Sequence, residues 1–310
     1  MSGSMVRGLL ACGLLASALL AAGEARATDP DRVEWSKDWP RARLWEGISA
    51  VVLTVADAEI EPNVPIQHEA HWRGGILFDD AVRSALRGKT AAIQSTASSV
   101  SDALYLGGTI GPLVIDNYFV TLSIHQNADV AFQMLVINMQ SLGVSGLISL
   151  VAEHGAGRAR PYTDKCDAQG HIYDDSGALM TNHCGTSNDY RSFFSGHTAA
   201  VSTMAGLTCA HHQHLPLYGG GFADLAPCLV MIGAATATAI LRIVYDEHWA
   251  TDVLVGAVTG AVSGYVLPSL LHYGFGSGRP IGEVRSGSFV MVPTIVGFPD
   301  GAGLGAVGLF

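Results

Sequence analysis

The sequence is poor in charged residues, and above all in basic ones. Only 14% of its 310 residues are charged, and 17 Lys and Arg stand against 27 Asp and Glu, for a formal net charge of −10. This balance argues against nucleic acid and anionic membrane surfaces as partners. Hydrophobic residues make up 49% of the chain, which raises the question of whether it crosses a membrane.

Cysteine is also scarce, with five residues in the chain, and the start of the sequence indicates the compartment in which they would lie. Arg7, an apolar run over residues 8–22 and the Ala-Arg-Ala sequence at 25–27 are typical of a secretory signal peptide, so we expect cleavage after residue 27, with an uncleaved anchor helix as the alternative. Cys12 would leave with the signal. In an oxidising compartment the simplest pairing of the remaining four joins nearest neighbours, Cys166 with Cys184 and Cys209 with Cys228.

Three short segments, GRARPY, SFFSGH and LRIVYDEHWATD, each stand at the edge of an apolar run. In the third, His248 and Asp252 lie four residues apart, so on a helix the carboxylate could accept a hydrogen bond from the imidazole. Arg242 stands where a helix is predicted to end, and its guanidinium could bind phosphate oxygens. The segment therefore predicts a base or nucleophile with its orienting group, next to a cation.

The first two segments would complete a phosphate site. Ser195 and Gly196 precede a predicted helix start, where free backbone N–H groups favour an anion and glycine allows close approach. His197 is placed to give a proton to a leaving oxygen. Arg160 would add a second cation from another part of the chain.

Together these residues resemble the type 2 phosphatidic acid phosphatase (PAP2) superfamily, which includes bacterial nonspecific acid phosphatases and vanadium haloperoxidases. Its motifs are Lys-x6-Arg-Pro, Pro-Ser-Gly-His and Ser-Arg-x5-His-x3-Asp, and the resemblance covers residues 153–252. It implies an all-α helical bundle that hydrolyses phosphate monoesters of a lipid, an isoprenoid or a small molecule, with no metal and no cofactor. The resemblance makes His248 the nucleophile that forms a phosphohistidine, Asp252 its orienting partner and His197 the acid. It assigns the phosphate oxygens to Arg160, Ser195, Gly196 and Arg242.

Two alternatives belong to other functional classes. The first is a vanadate-dependent haloperoxidase: vanadate, which would inhibit the phosphatase, could instead bind in the same pocket as a prosthetic group for halide oxidation. The first motif offers a different alternative, a catalytically weakened envelope protein, because Glu153 stands where the family has Lys. Arg158 is a candidate for the missing cation. Phe194 in place of Pro and Leu241 in place of Ser leave the central residues intact.

Membrane crossing is open to two interpretations. Residues 130–152 and 253–271 lack charge and are long enough to span a bilayer, and residues 225–241 are marginal. If the chain spanned the membrane, residues 211–227 would form a cytoplasmic loop. They contain no Lys or Arg, whereas cytoplasmic loops usually carry an excess of both. We therefore expect an exported, periplasmic or extracytoplasmic helical globule whose central helices are buried all round, with an integral membrane enzyme as the alternative.

We expect residues 28–310 to form one domain, with a catalytic core at about 130–272 and a tail from 273 to 310. The segments outside the motifs are predicted to be scaffold. In the tail, residues 289–296 and 303–310 are predicted to pair as a short β-hairpin. We expect Asp79 and Asp80 to be solvated or capping residues of a surface helix, and the histidines at 211, 212 and 214 to lie on an exposed loop.

Overall fold

Seven α-helices make up most of the chain that the computed structural model describes, which is residues 33–60, 69–186, 188–274, 290–298 and 301–309. The predicted signal peptide lies outside these ranges. The helices are α1 (Leu44–Ile60), α2 (Asp79–Leu86), α3 (Ala91–Pro112), α4 (Ala128–Ala156), α5 (Gly196–His214), α6 (Phe222–Val244) and α7 (Ala250–Ala261). π-Helical turns extend α3 over Leu113–Ile124 and follow α7 at Val262–Val266 and Ser269–Tyr273. The all-α prediction is confirmed.

Helix α5 is the centre of the bundle. It packs against α3, α4, α6 and α7, and most of its side chains are buried. Many of these are Ala, Ser, Thr or Gly, and such small side chains let neighbouring helices come close. On the facing side, a Cβ added to Gly260 would collide with the Ala199 carbonyl oxygen, and one on Gly264 with that of Thr203. Backbones of α5 and α7 therefore meet directly.

Both predicted disulfides are present. Cys166–Cys184, with a Cα–Cα distance of 6.0 Å, closes the insert between α4 and α5. This insert contains a 3₁₀ turn at Pro161–Lys165 and an antiparallel pair, β1 (His171–Tyr173) and β2 (Leu179–His183). No sequence signal predicted this pair. Cys209–Cys228 joins α5 to α6.

The predicted tail hairpin is also present. Strands β3 (Val290–Phe298) and β4 (Gly301–Leu309) pair antiparallel, with Val290 opposite Leu309 and Phe298 opposite Gly301. Residues 299 and 300, between them, lie outside the described ranges.

Three helical stretches are long and apolar enough to cross a membrane: Ala128–Ala156, Phe222–Val244 and Ala250–Tyr273. The expectation that these helices are buried all round is wrong. In the most apolar 18-residue stretch of each helix, only 50%, 33% and 39% of the residues, in that order, are buried inside the protein. Large apolar side chains point outward from several helices instead, among them Val51, Leu106, Phe119, Leu229, Val230, Leu254 and Val258. Such an exterior is suited to lipid rather than water.

The histidines near the end of α5 are buried, which corrects the prediction of an exposed loop. His211 binds the Tyr273 hydroxyl at 2.6 Å and the Asn138 side-chain oxygen at 2.8 Å. His212 lies 2.6 Å from an Asp224 oxygen. Partners from other segments thus pair both ring nitrogens of His211 and Nδ1 of His212 inside the bundle.

Close packing of α7 on α5 gives a stability prediction. Gly260→Ala should lower the free energy of unfolding by about 1–3 kcal/mol, because a methyl group there must push two backbones apart. Gly107→Ala is the matched control: Gly107 is an exposed helical glycine, and a Cβ added there would meet no neighbouring side chain or helix within 4 Å, so the change should be neutral or slightly stabilising. Thermal unfolding of both variants measures the difference, and equal midpoints would contradict this account of the helix crossing.

Candidate active site

One cavity of about 630 Å³ brings together most of the residues selected from the three motifs. It lies where α4 ends, α5 begins, α6 ends and the chain turns into α7. Five of the predicted site residues line it: Arg160, Gly196, His197, Arg242 and His248. The other two, Ser195 and Asp252, are fully buried and lie outside the lining.

Helix termini position these side chains. Helix α4 ends at Gly157, which has a left-handed conformation that turns the chain toward Arg160. Ser195 caps α5, since its hydroxyl accepts a hydrogen bond from the Thr198 N–H at 3.4 Å and lies 3.0 Å from the Thr198 hydroxyl. The Ser195 hydroxyl is thus engaged in capping. A Cβ on Gly196 would lie 3.3 Å from a Glu153 oxygen, so glycine lets the Glu153 side chain approach the backbone of α5 closely.

The His248 ring is held as a neutral imidazole. Its Nδ1 lies 2.7 Å from the Ser192 carbonyl oxygen, an acceptor that requires a proton on Nδ1. This tautomer leaves a lone pair on Nε2, which lies 3.4 Å from Arg160 Nη1. Burial, followed by the charges of Arg160 and Arg242, holds the pKa of His248 well below its usual range. An unprotonated ring nitrogen therefore faces the cavity.

Asp252 does not hydrogen-bond His248 as the spacing predicted. The nearest approach is 3.9 Å, from His248 Nδ1 to Asp252 Oδ2. The reason is that α7 begins only at Ala250, so His248 precedes the helix and the helical i,i+4 geometry does not apply. Asp252 accepts hydrogen bonds from the Ser192 hydroxyl at 2.6 Å and the Trp249 N–H at 3.0 Å. It thus positions His248 through Ser192.

Arg158 is a structural cation and does not face the cavity. Its guanidinium is fully buried and binds Asp252 at 2.5 Å and Asp79 at 2.7 Å. The Trp72 ring centroid lies 4.0 Å from its Cζ and that of Trp249 lies 5.3 Å away. Asp79 is therefore buried, against expectation, and it also accepts a hydrogen bond from the Thr251 N–H at 2.8 Å.

Glu153 faces the cavity and lies beside Arg191, which the sequence motifs did not predict. The Glu153 carboxylate binds Arg191 at 2.8 Å, and both side chains line the cavity. Arg191 falls just before the SFFSGH segment, at a position that belongs to none of the three motifs. Arg191 thus brings a third guanidinium into the cavity lining.

His197 has a partner from a distant part of the sequence. Its Nε2 lies 3.1 Å from a carboxylate oxygen of Asp102, on α3, and its ring lies 4.4 Å from that of Tyr105. Burial and the positive charge of Arg242 lower the pKa of His197 to about 4, although Asp102 acts to raise it. Asp102 could not be predicted from the sequence, because it is a single acidic residue of a mostly apolar helix and belongs to no motif.

The comparison with protein families agrees with the three motifs. Residues 135–275 match the family model of the PAP2 superfamily, which confirms the resemblance for this part of the chain. A solved structure similar to this chain is a transmembrane PAP2-type phosphatidylglycerolphosphate phosphatase from Bacillus subtilis, with 18% identity and a TM-score of 0.39 over 73% of this chain and 96% of that chain. No curated protein matches. Among the described residues, no group of three or more His, Cys, Asp and Glu is placed to hold a metal ion.

The double ion pair of Arg158 yields a prediction about stability. Asp79→Ala should lower the free energy of unfolding by about 3–5 kcal/mol, since it removes one partner of a buried cation. Asp80→Ala alters the adjacent, exposed acid of the same helix and should have little effect. Denaturant unfolding of the two variants provides the test. A similar loss in both would mean that the helix, not the ion pair, is sensitive to substitution.

Proposed function

We propose that the protein is a PAP2-type phosphatase that hydrolyses the phosphate monoester of a lipid through a phosphohistidine on His248, without a metal. The observation that carries this proposal is the convergence of two imidazoles and three guanidinium groups on one cavity. The match of residues 135–275 to the PAP2 superfamily supports the same reaction class.

The geometry suits attack by Nε2 of His248 on phosphorus. Ser192 holds the Nδ1 proton, so the Nε2 lone pair is available to form the N–P bond while the P–O bond to the leaving group breaks. His197 gives its proton to the departing oxygen. Water then attacks the phosphohistidine, giving a proton to His197 and releasing phosphate and neutral His248. Arg160, Arg191 and Arg242 would stabilise the phosphoryl oxygens, where charge builds up.

A lipid substrate is supported by the lining of the cavity. Besides the charged residues, the lining includes less polar residues of α3, α4 and α5, namely Thr109, Met139, Leu142, Gly146 and Ala200. An alkyl or isoprenoid tail would pack against these residues, with its phosphate among the arginines. The apolar exterior of α3, α4, α6 and α7 supports contact with lipid, from which such a substrate would come.

An extracytoplasmic active site is supported by the insert disulfide. Cys166–Cys184 closes the segment that runs from Arg160 to the start of α5. Disulfides persist in oxidising compartments and are rare in the cytosol. We therefore infer that the cavity opens on the exported side.

The nucleophile prediction can be tested by substitution. His248→Ala should reduce phosphate release from a lipid phosphate and from a soluble ester by roughly 10³-fold or more, because the covalent route is removed. His171→Ala, which changes a histidine outside the cavity, should retain activity. Acid-labile labelling of the wild type by a radioactive phosphate ester should disappear in His248→Ala.

Retained turnover in His248→Ala would contradict the assigned nucleophile. Halide oxidation that depends on added vanadate, with no phosphate release, would support the haloperoxidase alternative instead.

The pKa of His197 predicts the pH dependence. Its pKa of about 4 means that the ring is neutral at pH 7 in the free protein. If protonated His197 is the acid, kcat/KM should fall as the pH rises above this value. Asp102→Asn removes a charge that raises the pKa of His197, so the fall should move to lower pH. Profiles of kcat/KM for wild type, Asp102→Asn and the exposed control Asp80→Asn test this, and an unshifted Asp102→Asn profile would argue against the assignment.

A further inference from the structure

The cavity that contains His197 and His248 is lined by as many carboxylates as guanidinium groups. Within the described chain, its charged lining residues are three arginines and three acids: Arg160, Arg191 and Arg242, with Asp102, Glu153 and Glu247. A site for a phosphate dianion gains from excess positive charge around the oxygens. The acids therefore need an explanation. Glu247 is the one that contacts two of the arginines assigned to the substrate, Arg160 and Arg242.

The Glu247 carboxylate already occupies a bridging position between two guanidinium groups. One of its oxygens accepts a hydrogen bond from Arg160 Nη1 and lies 3.6 Å from Arg242 Nη2. The same Arg160 nitrogen donates to the Glu247 carbonyl oxygen at 3.3 Å. Only 12% of the Glu247 side chain is exposed. The carboxylate thus engages the donors that phosphate oxygens would use.

The turn between α6 and α7 fixes this placement. Asp246 has a φ of 67°, and its carboxylate accepts two hydrogen bonds of 2.7 Å from Arg83, on α2. The Glu247 N–H donates to the Arg242 carbonyl oxygen at 3.2 Å. These bonds direct the two adjacent acids to opposite sides, Asp246 toward Arg83 and Glu247 into the cavity. The position of Glu247 therefore follows from the anchored backbone.

We propose that the Glu247 carboxylate is an internal competitor of the substrate phosphate, so that every phosphate that binds must displace it from Arg160 and Arg242. The inference rests on the proposed function, in which these two arginines bind the substrate. Carboxylate and phosphate carry like charge and need the same donors, so they cannot both be bound there.

Displacement makes Glu247 a specificity-determining residue. A free phosphate ion has no tail with which to offset the loss of the Glu247 contacts, so it binds more weakly than a lipid phosphate. A lipid phosphate gains additional affinity from contacts of its tail with the apolar lining residues of the cavity. The residue thereby limits occupancy of the site by free phosphate, which is also the product.

Equilibrium binding of inorganic phosphate and of vanadate to the purified full-length protein, by titration calorimetry, tests the competition without requiring turnover. Glu247→Gln removes the charge and keeps the size, so both oxyanions should bind about tenfold more tightly, or better, than to wild type. Glu247→Ala should shift both affinities in the same direction. Asp80→Asn makes the same charge change at an exposed position and should leave them unchanged.

Each remaining outcome counts against the inference. Equal or weaker binding to both Glu247 variants, while wild type still binds phosphate, would overturn the competition but not the proposed phosphatase, and Glu247 would be a support for Arg160. Tightening shared by Asp80→Asn would reduce the effect to net charge. If neither wild type nor any variant bound either oxyanion, the proposed function would fall as well.

Discussion

The buried guanidinium of Arg158 is the interaction on which the geometry of the site depends. It binds Asp79 from α2 and Asp252 from α7, and it lies against Trp72 and Trp249. A fully buried charge is tolerated only when it is paired, so these segments are held together or the cation is left unsatisfied. The consequence extends to catalysis, because Asp252 also binds Ser192, whose carbonyl fixes the His248 tautomer.

Packing in this bundle reverses the usual distribution of polarity. The central helix α5 is rich in small and polar residues, whereas large apolar side chains of α3, α4, α6 and α7 face outward. Glycines of α7 and small residues of α5 allow backbone contact, which brings the start of α5 next to the start of α7. The same close approach places His197 and His248 on one cavity. Helix packing and site assembly thus have one cause.

Local signals in the sequence were sufficient for the helices, the tail hairpin, the nearest-neighbour disulfides and the motif residues of the cavity. They failed where a partner comes from far along the chain. Asp79, Asp102 and Arg191 acquire their roles only when α2, α3 and the insert pack against the motif segments. The predicted hydrogen bond between His248 and Asp252 was wrong for a related reason. Residues four apart face each other only within a helix, and α7 starts after His248. Burial of the α5 histidines likewise depends on Asn138, Asp224 and Tyr273 from three other segments.

The two disulfides constrain where the bundle can form. Cys166–Cys184 lies in the insert that precedes α5, whereas Cys209 follows Gly196 by 13 residues of α5, which is about 20 Å at 1.5 Å per residue. Both pairs need an oxidant to form, one before the central helix and one near its far end. This distribution is in keeping with the proposed extracytoplasmic site. A bundle with so apolar an exterior also requires a cover, and membrane lipid would provide one.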